Sequence, residues 1–63
     1  MSDAGLTQLQ RYIADSIARG EHQRPLAHEL KMQRGELRVQ VKAIYSKTGT
    51  SNPEELARWL GIR

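Results

Sequence analysis

The segment from Arg34 to Thr48 constrains this chain more than any other, because it can be only one thing: an amphipathic helix. Leu37, Val41, Ile44 and Thr48 recur at steps of three and four. At about 100° per residue they fall within one narrow arc. The opposite arc holds Gly35, Arg38, Val39, Lys42 and Ser46, and Gly49 ends the run. Read from Leu30 to Gly49, the stretch LKMQRGELRVQVKAIYSKTG is a short turn followed by a helix with a dry face and a basic face. The dry face has to be covered, so the rest of the chain must supply partner helices.

Three further helices are legible from their punctuation. Thr7 is a good N-cap, and Gln10 three residues on completes a capping-box pattern. Leu6, Leu9, Ile13 and Ile17 then recur with helical period, and Gly20 suits a left-handed C-terminal residue. The first helix is therefore expected at about 7–19, with Met1 to Gly5 frayed before it. Pro25 fits only the first turn of a helix, which places a short second helix at about 24–30, with Leu26, Ala27 and Leu30 on its apolar side. Lys31 to Gln33 forms a turn with Met32 pointing inward, and the third helix spans about 34–48. Asn52 caps a fourth helix with Pro53 at its first position and Glu55 placed for a capping box; Leu56, Trp59 and Leu60 share one face, and Gly61 ends it. The fold class is all-α: four helices, of which the second and third, joined by a three-residue turn, make a helix-turn-helix.

Sixty-three residues make one domain, 1–63. A chain this short buries only about 60% of the surface it exposes when unfolded, so its core is small. With no cysteine, neither a disulfide nor a thiolate metal site can reinforce it. His22 and His28 lack partners at ligand spacing, so neither metal nor cofactor is expected. No run approaches the roughly 18 apolar residues of a membrane span, and no signal segment opens the chain, so a cytoplasmic protein is expected. The net charge of +3 is unevenly distributed. Residues 1–30 carry three arginines against four carboxylates; residues 31–63 carry seven Lys or Arg against three. A nucleic-acid footprint requires such a concentration of basic charge.

The outer arc of the third helix has the chemistry to use it. A major groove about 12 Å wide admits one α-helix and offers acceptors, donors and the thymine methyl. Arg38 can donate two parallel hydrogen bonds to a guanine. Lys42, one turn on, shares its face, and Val39 between them can meet a thymine methyl. Lys31, Arg34 and Lys47 flank the arc and suit phosphates, which set register without reading sequence. A basic helix face is also what an ordinary solvated surface looks like, and a single exposed valine is unremarkable. The combination of short helix, three-residue turn, basic outer arc and split charge is what favours DNA.

Leu6 through Asn52 resembles the C-terminal DNA-binding domain of the LuxR family of bacterial transcription regulators. The resemblance rests on Leu6-Thr7 at the start, Gly20, Leu26-Ala27 followed by Leu30, and the run Glu36-Leu37-Arg38-Val39-Gln40-Val41-Lys42-Ala43-Ile44-Tyr45-Ser46-Lys47-Thr48-Gly49. In the tail, Glu55-Leu56-Ala57-Arg58-Trp59 after the Asn52 loop is similar to the family's last helix. The resemblance implies base contacts from Arg38, Val39 and Lys42, and backbone contacts from Gln23, Arg24, Lys47 and Asn52. It also implies a dimer interface on the last helix, at Leu56, Trp59 and Leu60. An output module alone, without a receiver or ligand-sensing domain, is expected, as in the smallest stand-alone members. The chain departs from the family at Gln33 and Glu36, where Ser and Thr are usual. It departs again at Gln10 and Tyr12, which replace acidic residues, and at Pro25. A carboxylate at Glu36 would face phosphates unless it caps the helix or accepts from a cytosine amino group.

Two functions are therefore weighed. The first is a sequence-specific DNA-binding transcription regulator, acting as a homodimer on duplex DNA. The second is a protein-binding module that pairs with a LuxR-type regulator or docks on RNA polymerase without reading DNA. Trp59 is expected to pack mainly against the first helix, Tyr45 to be structural, and His22 and His28 to be solvated, with a backbone contact from His22 as the lesser role. No nucleophile-base pair or phosphate-cradling glycine loop is visible, so an enzyme is not expected.

Overall fold

A computed structural model describes residues 5–62. Among these residues the chain forms four helices and no strand: α1 (Gln8–Ala18), α2 (Gln23–Leu30), α3 (Arg34–Thr48) and α4 (Pro53–Leu60). None is long and apolar enough to cross a membrane. The fraying expected of Met1 to Gly5 concerns, for residues 1–4, positions outside the described residues.

The ends form for local reasons. Thr7 Oγ1 accepts from the Gln10 amide at 3.0 Å while Gln10 Oε1 accepts from the Thr7 amide at 3.2 Å, closing the capping box of α1. This satisfies two of the N–H groups that a helix start leaves without partners. α2 begins one residue earlier than the proline alone suggests, with Pro25 inside its first turn, where a missing N–H costs nothing. Asn52 Oδ1 accepts from the Glu55 amide at 2.8 Å, and Glu55 Oε1 accepts from the Ser51 amide at 2.8 Å, fixing the start of α4. Gly49, at φ 69°, is the left-handed residue that ends α3.

α1 is the hub: it packs against α2, α3 and α4, while α2 and α4 do not meet. The core is Leu6, Ile13, Ala14 and Ile17 from α1 and its approach, Leu26 and Ala27 from α2, Leu37, Val41 and Ile44 from α3, and Leu56 from α4. Leu30, Met32, Tyr45 and Leu60 pack against it half-buried, so Met32 does plug the turn and Tyr45 does flank the stripe. Thr48 completes the inner stripe of α3, its hydroxyl donating to the Ile44 carbonyl at 2.9 Å.

One inward assignment fails. Leu9, read from periodicity as a core residue, is 41% exposed, and Gln10 is 7% exposed in the place that apolarity alone would have given to a leucine. Leu6, Ile13, Ala14 and Ile17 centre the buried arc of α1 on the side of Gln10, which leaves Leu9 at its margin. Burial of the amide is possible because every polar atom of Gln10 has a partner. Its Nε2 donates to Gln40 Oε1 at 2.9 Å, and its Oε1 accepts from Lys47 Nζ at 2.8 Å as well as from Thr7. Tyr12 has a similar bridging job: its phenol donates to the Glu29 carboxylate, clipping α1 to α2. That hydrogen bond, and then desolvation and the nearby carboxylates, hold the Tyr12 phenol above its ordinary pKa.

Candidate nucleic-acid interface

α3 meets α1, α2 and α4 through its inner stripe, so its outer arc is left to solvent. Arg34, Gly35, Arg38, Val39, Lys42 and Ser46 are all exposed, and Val39 is the most exposed large apolar side chain among the described residues at 63%. Arg38 and Lys42 stand about 6 Å apart along the axis, one turn of the same face. Gln23 and Arg24, at the first turn of α2, and Lys31, at its end, are also exposed. Arg24, Lys31, Arg34, Arg38 and Lys42 are thus all exposed on α2, α3 and the turn between them.

None of the five is held through its side chain in a hydrogen bond or ion pair with another described residue. Arg11 and Arg58 are likewise without such a partner, while Arg19 pairs with Asp15 at 2.9 Å. Lys47, expected on a phosphate, instead turns inward: its ammonium donates to the Gly5 carbonyl at 3.1 Å and to Gln10 Oε1 at 2.8 Å. Lys47 ties the end of α3 to the start of α1 through two neutral acceptors. Changing Lys47 to Met is therefore expected to lower stability by roughly 1 kcal/mol, the net worth of hydrogen bonds at a partly buried site. Thermal unfolding checks this. The salt dependence of any DNA affinity is expected to stay as in the wild type, where a phosphate contact would flatten it.

Glu36, the discordant charge at the start of α3, also has an internal occupation. Its Oε1 accepts from the Gln33 amide at 3.1 Å, the carboxylate half of a capping box. A glutamate at this position also sits favourably in the dipole of the helix start. The absence of Ser at position 33 is thus offset by the residue three places on. The cap of α4 engages only the Oδ1 of Asn52, and its amide NH2, the group that would donate to a phosphate, takes no part in it.

The dimer surface assigned to α4 needs correcting at one position. Leu56 is fully buried, a core residue that cannot meet a second copy without opening the domain. Leu60 is half-buried against the core, and Trp59 is 38% exposed. Trp59 lines a shallow cleft at the end of α3 with Thr48, Gly49, Thr50, Glu55 and Arg58.

Two backbone features on the basic side were not legible as functional signals. Lys31 adopts the left-handed conformation, φ 57° and ψ 39°, and is the only described non-glycine residue at positive φ. Gly35 does the reverse. It lies inside the first turn of α3 in ordinary helical conformation, and a Cβ added there would meet nothing within 4 Å. A glycine in a helix costs about 0.5–1 kcal/mol relative to alanine. Gln23, Arg34, Gly35 and Arg38 together line an open cleft of about 300 Å³ between the starts of α2 and α3. Comparison with family models, with characterised proteins and with solved structures finds no match for this chain.

Proposed function

We propose that this protein is a LuxR-type helix-turn-helix transcription regulator that reads duplex DNA by inserting α3 into the major groove. The observation that carries the reading is the charge on the outer arc of α3 and the cleft beside it: Arg34, Arg38 and Lys42 are exposed and without a side-chain partner among the described residues, and Arg34 and Arg38 line one cleft with Gln23. Arg38, Val39 and Lys42 are the base-reading trio. A donor pair, an apolar contact and a second donor along one face match what base edges offer in the major groove. Gln23, Arg24, Lys31 and Arg34 are the phosphate set. Two copies would pair through Trp59 and Leu60 on α4 and place their third helices about one helical turn apart, roughly 10 bp.

Selection of bound sequences from a random duplex pool tests this. Enrichment of a two-fold site with half-sites one helical turn apart is expected. With the selected duplex, affinity should fall steeply with salt, as release of condensed counterions requires. Absence of any salt-dependent affinity for duplex DNA would sink the reading. The exposed Trp59 gives some support to the rival reading, a module that pairs through α4 with a LuxR-type regulator or docks on RNA polymerase. That reading requires tight protein binding with no affinity for duplex DNA.

A further inference from the structure

We propose that Gln10 is a positioning residue for DNA reading: its buried amide fixes the rotation of α3 about its own axis, and so the direction in which Arg38, Val39 and Lys42 point, a role that rests on the DNA reading above. Leu37, Val41 and Ile44 seat α3 on the core through apolar contacts that carry no direction. Helix pairs built on the same ridges and grooves scatter by about 15–20° in crossing angle, which shows how loosely such packing alone holds a setting. The directional contacts between α3 and α1 are made by Gln40 and Lys47, and both go to Gln10. Gln40 and Lys47 are seven residues apart, so they stand in one row on the flank of α3, about 10 Å from each other along its axis. The long Lys47 stem spans that rise readily, since helical side chains lean toward the N-terminus. The row lies between the buried stripe and the outer arc, with Gln40 half-buried and Lys47 exposed.

The amide can be seated only one way round. Gln10 Oε1 accepts from the Thr7 amide at 3.2 Å and from Lys47 Nζ at 2.8 Å, so Nε2 is the donor, and it donates to Gln40 Oε1 at 2.9 Å. Lys47 Nζ also donates to the Gly5 carbonyl at 3.1 Å, which holds the same row against the approach to α1. Gln10 is 7% exposed, so water competes little for these partners, and moving α3 away would leave a buried polar group unsatisfied. Selecting one register among settings of similar packing energy is the best-attested use of a buried polar contact. Reading the groove is sensitive to that setting. A roll of about 20° carries side-chain atoms about 5–6 Å from the helix axis through about 2 Å. Hydrogen bonds form within a spread of about 0.5 Å, so the paired donors of Arg38 would then miss their guanine. Phosphate contacts, made by long cations free to swing, tolerate the same roll.

The test uses the full chain, the duplex selected above and a random duplex of equal length. Gln10→Leu keeps a side chain of similar bulk in the seat and removes the amide. Gln10→Glu keeps acceptors for the Thr7 amide and Lys47, and Gln40 can turn its NH2 to meet the carboxylate. Gln10→Leu is expected to weaken binding to the selected duplex on the order of tenfold and to the random duplex by less than about twofold, with the salt slope unchanged. Gln10→Glu is expected to hold the ratio of the two affinities within about threefold of wild type. A glutamine needed only for the fold gives a different result: the melting temperature falls and affinity for both duplexes drops in the same proportion. That outcome, or an unchanged ratio in a folded Gln10→Leu, overturns the proposal while the DNA reading stands. If Gln10→Leu does not fold, Gln40→Leu, which cuts the same contact from α3, is judged by the same ratio. A wild type without salt-dependent affinity for duplex DNA overturns the DNA reading and the positioning role with it.

Discussion

Leu37→Ala is expected to remove about half or more of the domain's unfolding free energy. Leu37 is fully buried, one of five large side chains with essentially no exposed surface, alongside Ile13, Leu26, Ile44 and Leu56. It stands in the first turns of α3, where it anchors the helix against the rest of the core. Removing its isobutyl group costs the lost transfer energy plus that of the cavity left behind, together about 2–5 kcal/mol. At roughly 0.05–0.15 kcal/mol per residue, a domain of this size has about 3–9 kcal/mol to lose. With no disulfide and no second core to fall back on, one cavity consumes most of that reserve. Far-UV circular dichroism through a urea titration measures the result: the midpoint should fall by half or more. Val39→Ala, on the opposite face of the same helix and 63% exposed, is the control, and its midpoint should move by no more than about 0.5 kcal/mol equivalent. Equal midpoints for Leu37→Ala and wild type would mean that α3 is not docked through its inner stripe.

That contrast between two faces of one helix was readable from the residues, and the reason is physical. Leu37, Val41 and Ile44 repeat with the period of the helix, and their burial follows from nothing but that period and the need to leave water. The caps were readable too, because Thr7, Asn52 and Gly49 act through local geometry within three or four residues. What was not readable depends on interactions between segments far apart in the chain. Gln10 is buried because Gln40 and Lys47, 30 and 37 residues away, satisfy its amide, and no local pattern announces that. The same hydrogen bond gives Lys47 a structural use within the domain, and the burial of Leu56 withdraws it from the dimer surface. Glu36 lay between these cases: its spacing from Gln33 allowed a cap, and only the fold showed the carboxylate turned to that use. Gly35 was visible as an outward residue, but its oddity emerged only when the space around it proved empty.

Arg38→Ala and Lys42→Ala, the changes with the largest expected effect on function, should separate reading from mere adhesion. Both side chains are exposed, and neither is held by another described residue, so truncating them leaves the fold untouched. Surface changes of this kind shift stability by about 0.5 kcal/mol or less. If Arg38 donates two hydrogen bonds to a guanine, its removal costs about 1–3 kcal/mol, or some 5- to 150-fold in affinity, and relaxes preference at one base pair in each half-site. Non-specific affinity should fall far less, so the ratio of specific to non-specific binding collapses. Lys42, as a point charge on a flexible stem, can meet a guanine or a phosphate, and the two outcomes differ. If Lys42 meets a base, truncating it alters the selected sequence at one position. If it meets a phosphate, truncating it weakens all duplexes alike and flattens the salt slope by about one. Repeating the pool selection with each variant and titrating salt on the enriched duplex distinguishes them. The double variant is the decisive one. If it folds as the wild type does and enriches the same site with the same affinity, α3 does not read the groove, and the uncommitted cations serve some partner other than DNA.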